Sequence, residues 1–312
     1  MTSPILLLGP QRHRPTLKAA VDSLGLKGDL CAITAGWEER EGEDDELRKH
    51  LGGRMVNLEV YRRVEDVFQR DPELLQAMRR RHDRLRRLQS YYRLELSRAL
   101  DSARDLLERE DPDHPDLLES ARTSAIESVR VLDRHHLATI QTIHAEFRER
   151  WRPAERDEVV RARREIEGLL DGSAGLCVAG GHVAILLNRM RLLDVHKLLG
   201  DRPLIAWSAG AMALSERVVL FHDSPPQGPG DAEVLEAGLG ICKGIVPLPH
   251  AKYRLRLEDR ARVALFSRRF GPAMCAILDE GTQLVSKGTD WLAQGVAEEL
   301  GATGEVNAVE AA

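Results

Sequence analysis

The chain has 312 residues, enough for one large domain or two ordinary ones, and its apolar fraction of 43% is ample for a core. Asp+Glu 50 against Lys+Arg 45 leaves a net charge of −5, which excludes a global positive field that would recruit nucleic acid or an anionic membrane. Four cysteines, at 31, 177, 242 and 275, lie in apolar stretches without C-x-x-C spacing, so reduced, buried thiols in a cytoplasmic protein are expected.

Ile5–Leu8 is an apolar run of four with no basic segment before it, a first strand rather than a secretory leader. No apolar run approaches the ~20 residues needed to span a bilayer. Residues 16–24 read as a helix, 30–34 as a strand, 44–51 as a helix and 55–60 as a strand. Such alternation points to a parallel sheet with helices on its faces.

From 61 to 170 the character changes. Glycine is absent until Gly168, and Leu, Arg and Glu dominate. Leu85, Leu88, Tyr92, Leu96, Ala99, Ala103 and Leu106 recur at spacings of three and four, an amphipathic helical stripe. Asp111-Pro-Asp-His-Pro115 breaks it, and a second stripe runs from Leu118 to Phe147. Pro153 then starts a third helix reaching Leu170. The two long helices form an antiparallel hairpin. Six arginines fall within Arg79–Arg87, but residues 61–171 hold 23 Arg and no Lys against 24 Asp+Glu, so a salt-bridged face is expected there rather than a nucleic-acid surface. His135, His136 and His144 share a helix, yet no cysteine or carboxylate cluster completes a metal site with them. A hairpin this long buries only part of its stripe by itself, so it is expected to pack on a second copy of the chain, on a partner protein, or as a lid over the site described next.

Alternation resumes at Ala174. Residues 176–178 form a strand that ends in Ala179-Gly180-Gly181, and 182–199 a helix. Pro203-Leu-Ile-Ala-Trp207 reads as a buried strand that stops abruptly at Ser208, with a helical stretch beyond Met212. Ala206-Trp-Ser208-Ala-Gly210 has the layout of a nucleophile elbow, a sharp turn that pushes a hydroxyl out at the carboxyl end of a sheet. Strands at 218–221 and 245–248 follow, with a Pro/Gly-rich loop at 228–230 between them. A helix at 254–268, a strand at 275–278 and its hairpin or continuation at 283–286 complete the reading, with about ten frayed residues at the end. The resulting architecture is a doubly wound, mostly parallel α/β domain of residues 1–60 and 171–312, interrupted by a helical insertion at 61–170.

A serine nucleophile needs a base, an orienting acid and oxyanion donors. His250, in Val246-Pro-Leu-Pro-His250, stands at a strand end where it can act as base. Glu280, in Ile277-Leu-Asp-Glu280, and Asp223, in Leu220-Phe-His-Asp223, stand at two more, and either could orient His250. Gly180-Gly181 lets backbone amides approach an oxyanion without side-chain obstruction.

Taken in order, Gly180-Gly181, Trp207-Ser208-Ala-Gly210-Ala, Gly238-Leu-Gly240, Pro249-His250 and Asp279-Glu280-Gly-Thr282 resemble the cyanophycinase / dipeptidase E family of serine peptidases. The resemblance covers residues 174–288, loosely 1–60, and not 61–170. It implies a flavodoxin-like, class I glutamine amidotransferase-like fold and hydrolysis of a small peptide or amide without a cofactor or metal. It implies Ser208 as nucleophile, His250 as base and Glu280, or alternatively Asp223, as third member. Amides near Gly181 and Ala209 would form the oxyanion hole. Gly180, His182, Arg254 and Arg256 would contact substrate, the arginines by gripping a carboxylate. The chain departs from the family at His182, Val183, Leu248 and Ala251, positions that shape the pocket, so the resemblance speaks to mechanism rather than to a particular substrate. A non-catalytic relative that recruits a partner through its insertion is the alternative. Amide-nitrogen transfer would call for cysteine in place of Ser208.

Overall fold

The computed structural model describes residues 3–222 and 230–312, so Asp223 and most of the expected 228–230 loop lie outside the described residues. In chain order the elements are β1 Ile5–Leu8, α1 Leu17–Ser23, β2 Leu30–Ile33, α2 Asp45–His50, β3 Met55–Asn57, α3 Val60–Arg70, α4 Pro72–Glu108, α5 Pro115–Trp151, α6 Asp157–Leu170, β4 Gly175–Val178 and α7 Val183–Leu192. Then come β5 Leu204–Trp207, α8 Ala209–Leu214, β6 Arg217–Leu220, β7 Glu233–Ala237, β8 Ile245–Pro249, α9 Ala251–Arg254 and α10 Arg260–Phe270. Strands β9 Met274–Leu278, β10 Gln283–Lys287, β11 Asp290–Ala293, β12 Glu298–Leu300 and β13 Val306–Ala308 end the chain.

The fold is mixed α/β around a seven-stranded sheet of order β11-β10-β1-β5-β4-β2-β3. Its five strands from β1 to β3 run parallel and its β10–β11 edge antiparallel. β2, β4 and β5 are buried along their whole length, and β1 from Leu6 onward, as parallel strands covered on both faces must be. The period-2 geometry divides them. Leu6 and Leu8 pack with α1 on one face, while Leu7 joins the larger core on the other. A second sheet, β13-β12-β9-β8, and the β6–β7 pair stand beside it.

Several sequence expectations shift. The 283–286 strand leaves the 275–278 strand for the other sheet, where it pairs antiparallel with β1. Gly281, at φ 86°, turns the chain there. The helix expected at 254–268 begins at Arg260, because the Asp259 side chain accepts from the Arg262 N–H and caps it. The expected fraying at the end is overturned: β13 pairs with β12, and the Val309 and Ala312 amides donate to Ala297 and Ala293.

The helical stretch holds four helices. α3 and α6 lie together near α7, which leaves α4 and α5 as the projecting antiparallel pair. Its stripe is covered by the same chain, since Leu96, Leu100, Ile126 and Val129 belong to the core that includes Phe266 and Phe270 of α10. The stripe is thus buried without a second copy or a partner protein. Of the six arginines in the Arg79–Arg87 run, Arg81 turns inward and the others stay exposed. Arg81 is buried with its guanidinium 4.4 Å from the Phe147 ring and bonded to Asn188, and Arg84 pairs with Glu146. His136 bonds to Gln89 and stacks on Tyr92, and His144 bonds to Glu236, so both histidines serve packing. No grouping of His, Cys, Asp and Glu suited to a metal occurs among the described residues. Nor, among them, is any helix long and apolar enough to cross a membrane.

Candidate active site

β5 delivers Ser208 to the carboxyl edge of the sheet, and α8 departs immediately after it. Between them Ser208 adopts φ 51°, ψ −123°, a conformation that residues with a side chain rarely occupy. Small neighbours make this turn possible. A Cβ on Gly210 would collide with the Val178 and Ala179 carbonyls. A Cβ on Gly180 would sit 2.9 Å from Ser208 Cβ and 3.5 Å from its Oγ. Gly180 thus lies against the nucleophile candidate, which is itself half-buried. Gly181 has φ 117° and packs so tightly on Gly36 that only glycine fits. Among the described residues, neither the Gly181 nor the Ala209 N–H is used in a hydrogen bond, so both are free to donate.

On the other side of Ser208 runs β1, whose Leu8 pairs with Trp207. The next residue, Gly9, lies so close to the Asp279 carbonyl that a Cβ would collide with it, and its amide donates to Thr282. β8 and β9 are parallel neighbours, and the His250 N–H donates to the Leu278 carbonyl. Ser208, Gly9, Asp279-Glu280 and His250 therefore gather at one edge, brought there by three strand ends and a turn.

His250 is half-buried in the left-handed region, φ 59°, ψ 35°. Burial pushes its imidazole below the usual histidine range, Arg254 pushes it further down, and the Asp279 and Glu280 carboxylates pull it back. Asp279 exerts the larger pull of the two acids, and burial raises its own carboxyl while its Oδ2 accepts from the Lys252 N–H. Glu280 is exposed. Among the described residues no hydrogen bond joins Ser208 Oγ to His250, and none joins His250 to either acid.

The remaining expected site residues fall into two groups. His182 Nδ1 accepts from the Ile185 N–H and caps α7, while its backbone N–H donates to the Gly36 carbonyl beside the Gly180-Gly181 turn. Arg254 stays with His250. Arg256 instead lines a cavity of about 40 Å³ between α4 and α10, together with Arg104 and Phe266, and Ser208 does not border it. All four cysteines are buried and free. Desolvation pushes Cys177, Cys242 and Cys275 up to about 12, which leaves them inert as nucleophiles.

No protein-family model matches this chain, and no curated protein matches it significantly. Among solved structures, a peptidase from an acI-B1 Actinobacterium is similar at 16% identity and a TM-score of 0.48, with 100% of this chain and 95% of the other covered.

Proposed function

We propose that the chain is a serine hydrolase of the cyanophycinase / dipeptidase E type, with a class I glutamine amidotransferase-like core, acting on a small peptide or amide. The observation that carries this reading is the strained backbone of Ser208 at the end of a buried parallel strand, with Gly180 against its hydroxyl. Strain of this kind persists only where the surrounding structure enforces it.

In this reading the neutral His250 imidazole takes the Ser208 proton as Oγ attacks the carbonyl carbon. The Gly181 and Ala209 N–H groups stabilise the resulting oxyanion. His250 then passes the proton to the leaving amine, and water repeats the cycle on the acyl-enzyme. A histidine held below its usual range is neutral at pH 7, as a base must be. Glu280 and Asp279 steady the imidazolium through charge, and Asp223 is the alternative. The open Ser208–His250 geometry fits a resting enzyme, since such bonds often tighten only with substrate bound.

That open geometry also favours a second reading, a non-catalytic relative used for binding. A fluorophosphonate probe separates the two. Covalent labelling of the wild type that disappears in Ser208→Ala is the expected result. An unlabelled but folded wild type would count heavily against the enzyme.

A further inference from the structure

The turn that carries the Gly181 amide is held from behind. After β2 the chain passes through a short 3-10 helix, Ala35–Arg40, whose second residue, Gly36, packs on the Gly180-Gly181 turn that follows β4. A Cβ on Gly36 would stand 2.7 Å from the Gly180 carbonyl oxygen and 3.2 Å from both Gly181 Cα and the His182 nitrogen. The atoms in its way are all backbone, so the close approach requires glycine. The Gly36 carbonyl in turn accepts from the His182 N–H at 2.7 Å.

These contacts decide which way one peptide faces. In the Gly180–Gly181 peptide the oxygen is the atom nearest to Gly36, so the carbonyl points toward the β2 side. The peptide is trans, and in a trans peptide the N–H points opposite to the C=O. The Gly181 N–H therefore points away from Gly36. The sheet order β2, β4, β5 makes that the side of Ser208. The His182 amide is spent on Gly36, which leaves the Gly181 amide to the site. Glycine on both sides gives this peptide no steric reason of its own to keep the orientation. Rotated by half a turn, it would aim a carbonyl oxygen at the place where the oxyanion must form.

Gly36 is itself fixed. Thr34 and Glu41, on either side of it in the chain, are buried. Thr34 Oγ1 donates to the Glu41 carbonyl, and Asn57 Nδ2 reaches Thr34, Glu41 and Asp44. The Glu41 carboxylate accepts from the Tyr61 and Arg62 amides at the start of α3.

We propose that Gly36 is a positioning residue for hydrolysis. It leaves room for the Gly180 carbonyl and ties down the His182 amide, and so locks the Gly180–Gly181 peptide with its N–H toward Ser208. This rests on Ser208 being the nucleophile and adds to that site a residue that never touches substrate.

The test is fluorophosphonate labelling of the full chain. Ser208 Oγ displaces fluoride from phosphorus, its proton passes to His250, and charge gathers on the phosphoryl oxygen that the hole receives. Gly36→Ala is expected to slow labelling about 100-fold to 1,000-fold, the loss that follows removal of one oxyanion donor. The pH midpoint of the remaining labelling is expected to stay at the wild-type value, because His250 stands on the far side of Ser208, beyond β1. Gly42→Ala, six residues on in open space, is expected to label at the wild-type rate. Labelling of Gly36→Ala within about threefold of the wild type overturns the assignment. So does a slowed variant whose midpoint moves, since the damage then reaches His250. Should Gly36→Ala fail to fold, the wild type supplies a second readout by amide NMR. The Gly181 amide proton is expected to shift downfield once Ser208 is phosphonylated, as it bonds to the phosphonyl oxygen. A labelled protein whose Gly181 amide does not move overturns the peptide orientation while leaving Ser208 as nucleophile. Absence of labelling in the wild type overturns both.

Discussion

Ser208 and Glu38 hold nearly the same backbone conformation, φ 51°, ψ −123° and φ 59°, ψ −129°, at the ends of two strands separated by one. Glycine adopts that region freely, so Glu38→Gly is expected to stabilise the fold by about 1 kcal/mol in urea denaturation. At His250 the charges set the pH response. Protonation silences a base, so labelling of Ser208 should rise with pH through a midpoint below the usual histidine value of 6.5. Arg254 depresses that midpoint and Glu280 raises it. Arg254→Ala should therefore move the acid limb to higher pH and Glu280→Gln to lower pH, measured as labelling rate against pH. Ser208, Gly180 and Gly181 are legible in the sequence because a tight turn next to a nucleophile demands small neighbours within a few positions. Glu38 is not, since its strain is imposed by Glu41, Asn57 and α3, which no local pattern announces. Nor does spacing reveal that Asp279 pulls harder than Glu280 on His250. That depends on how a turn packs against Gly9 from another part of the chain.

Among the elements, α4 and α5 are fastened to the core by a buried polar cluster. Arg269 of α10 bonds to Asp133 of α5 at 2.7 Å with both side chains at or below 5% exposure, and Tyr92 of α4 donates to the same carboxylate. Removing one partner of such a pair strands a charge, so Asp133→Ala or Arg269→Ala should cost about 3–5 kcal/mol in denaturant unfolding. Replacing both together with Leu and Met should recover much of that loss, because the desolvation penalty goes with the charges. The stripe of Leu96 and Leu100 marks α4 as amphipathic from sequence alone. What covers it does not follow from periodicity, because a helix face records only that something apolar lies opposite. Here that something is α5 together with α10, the latter more than 150 residues away, and the joint is sealed by an ion pair whose members look like ordinary surface charges in the sequence.

For the molecule as a whole, the hairpin joint is also its acid-sensitive seam. Burial holds both His136 and His144 below 6.5, and the Nδ1 atom of each has no partner. His144 faces Glu236, which favours its charged form, but also Arg191 and Arg81, which oppose it. A histidine whose folded value is depressed binds protons more readily when unfolded, so stability is full above 6.5 and declines as pH falls below it. Urea midpoints taken from pH 8 down to pH 5 should fall along that window, and His144→Gln should flatten the decline. The parallel α/β layout is evident in the alternation of strands and helices. The transfer of β10 to the first sheet is not, because partner choice depends on which edge remains open once the other strands are placed. That choice sets a timetable for synthesis. β1 pairs only with β5 and β10, whose first residues follow its own Ile5 by roughly 200 and 280 positions. At about 5–20 residues per second, this interior strand waits about 10–40 s on the ribosome for its first neighbour. The hairpin, built from near-neighbour contacts, can be complete long before then. The serine turn consequently forms late, on a chain whose helical arm already stands.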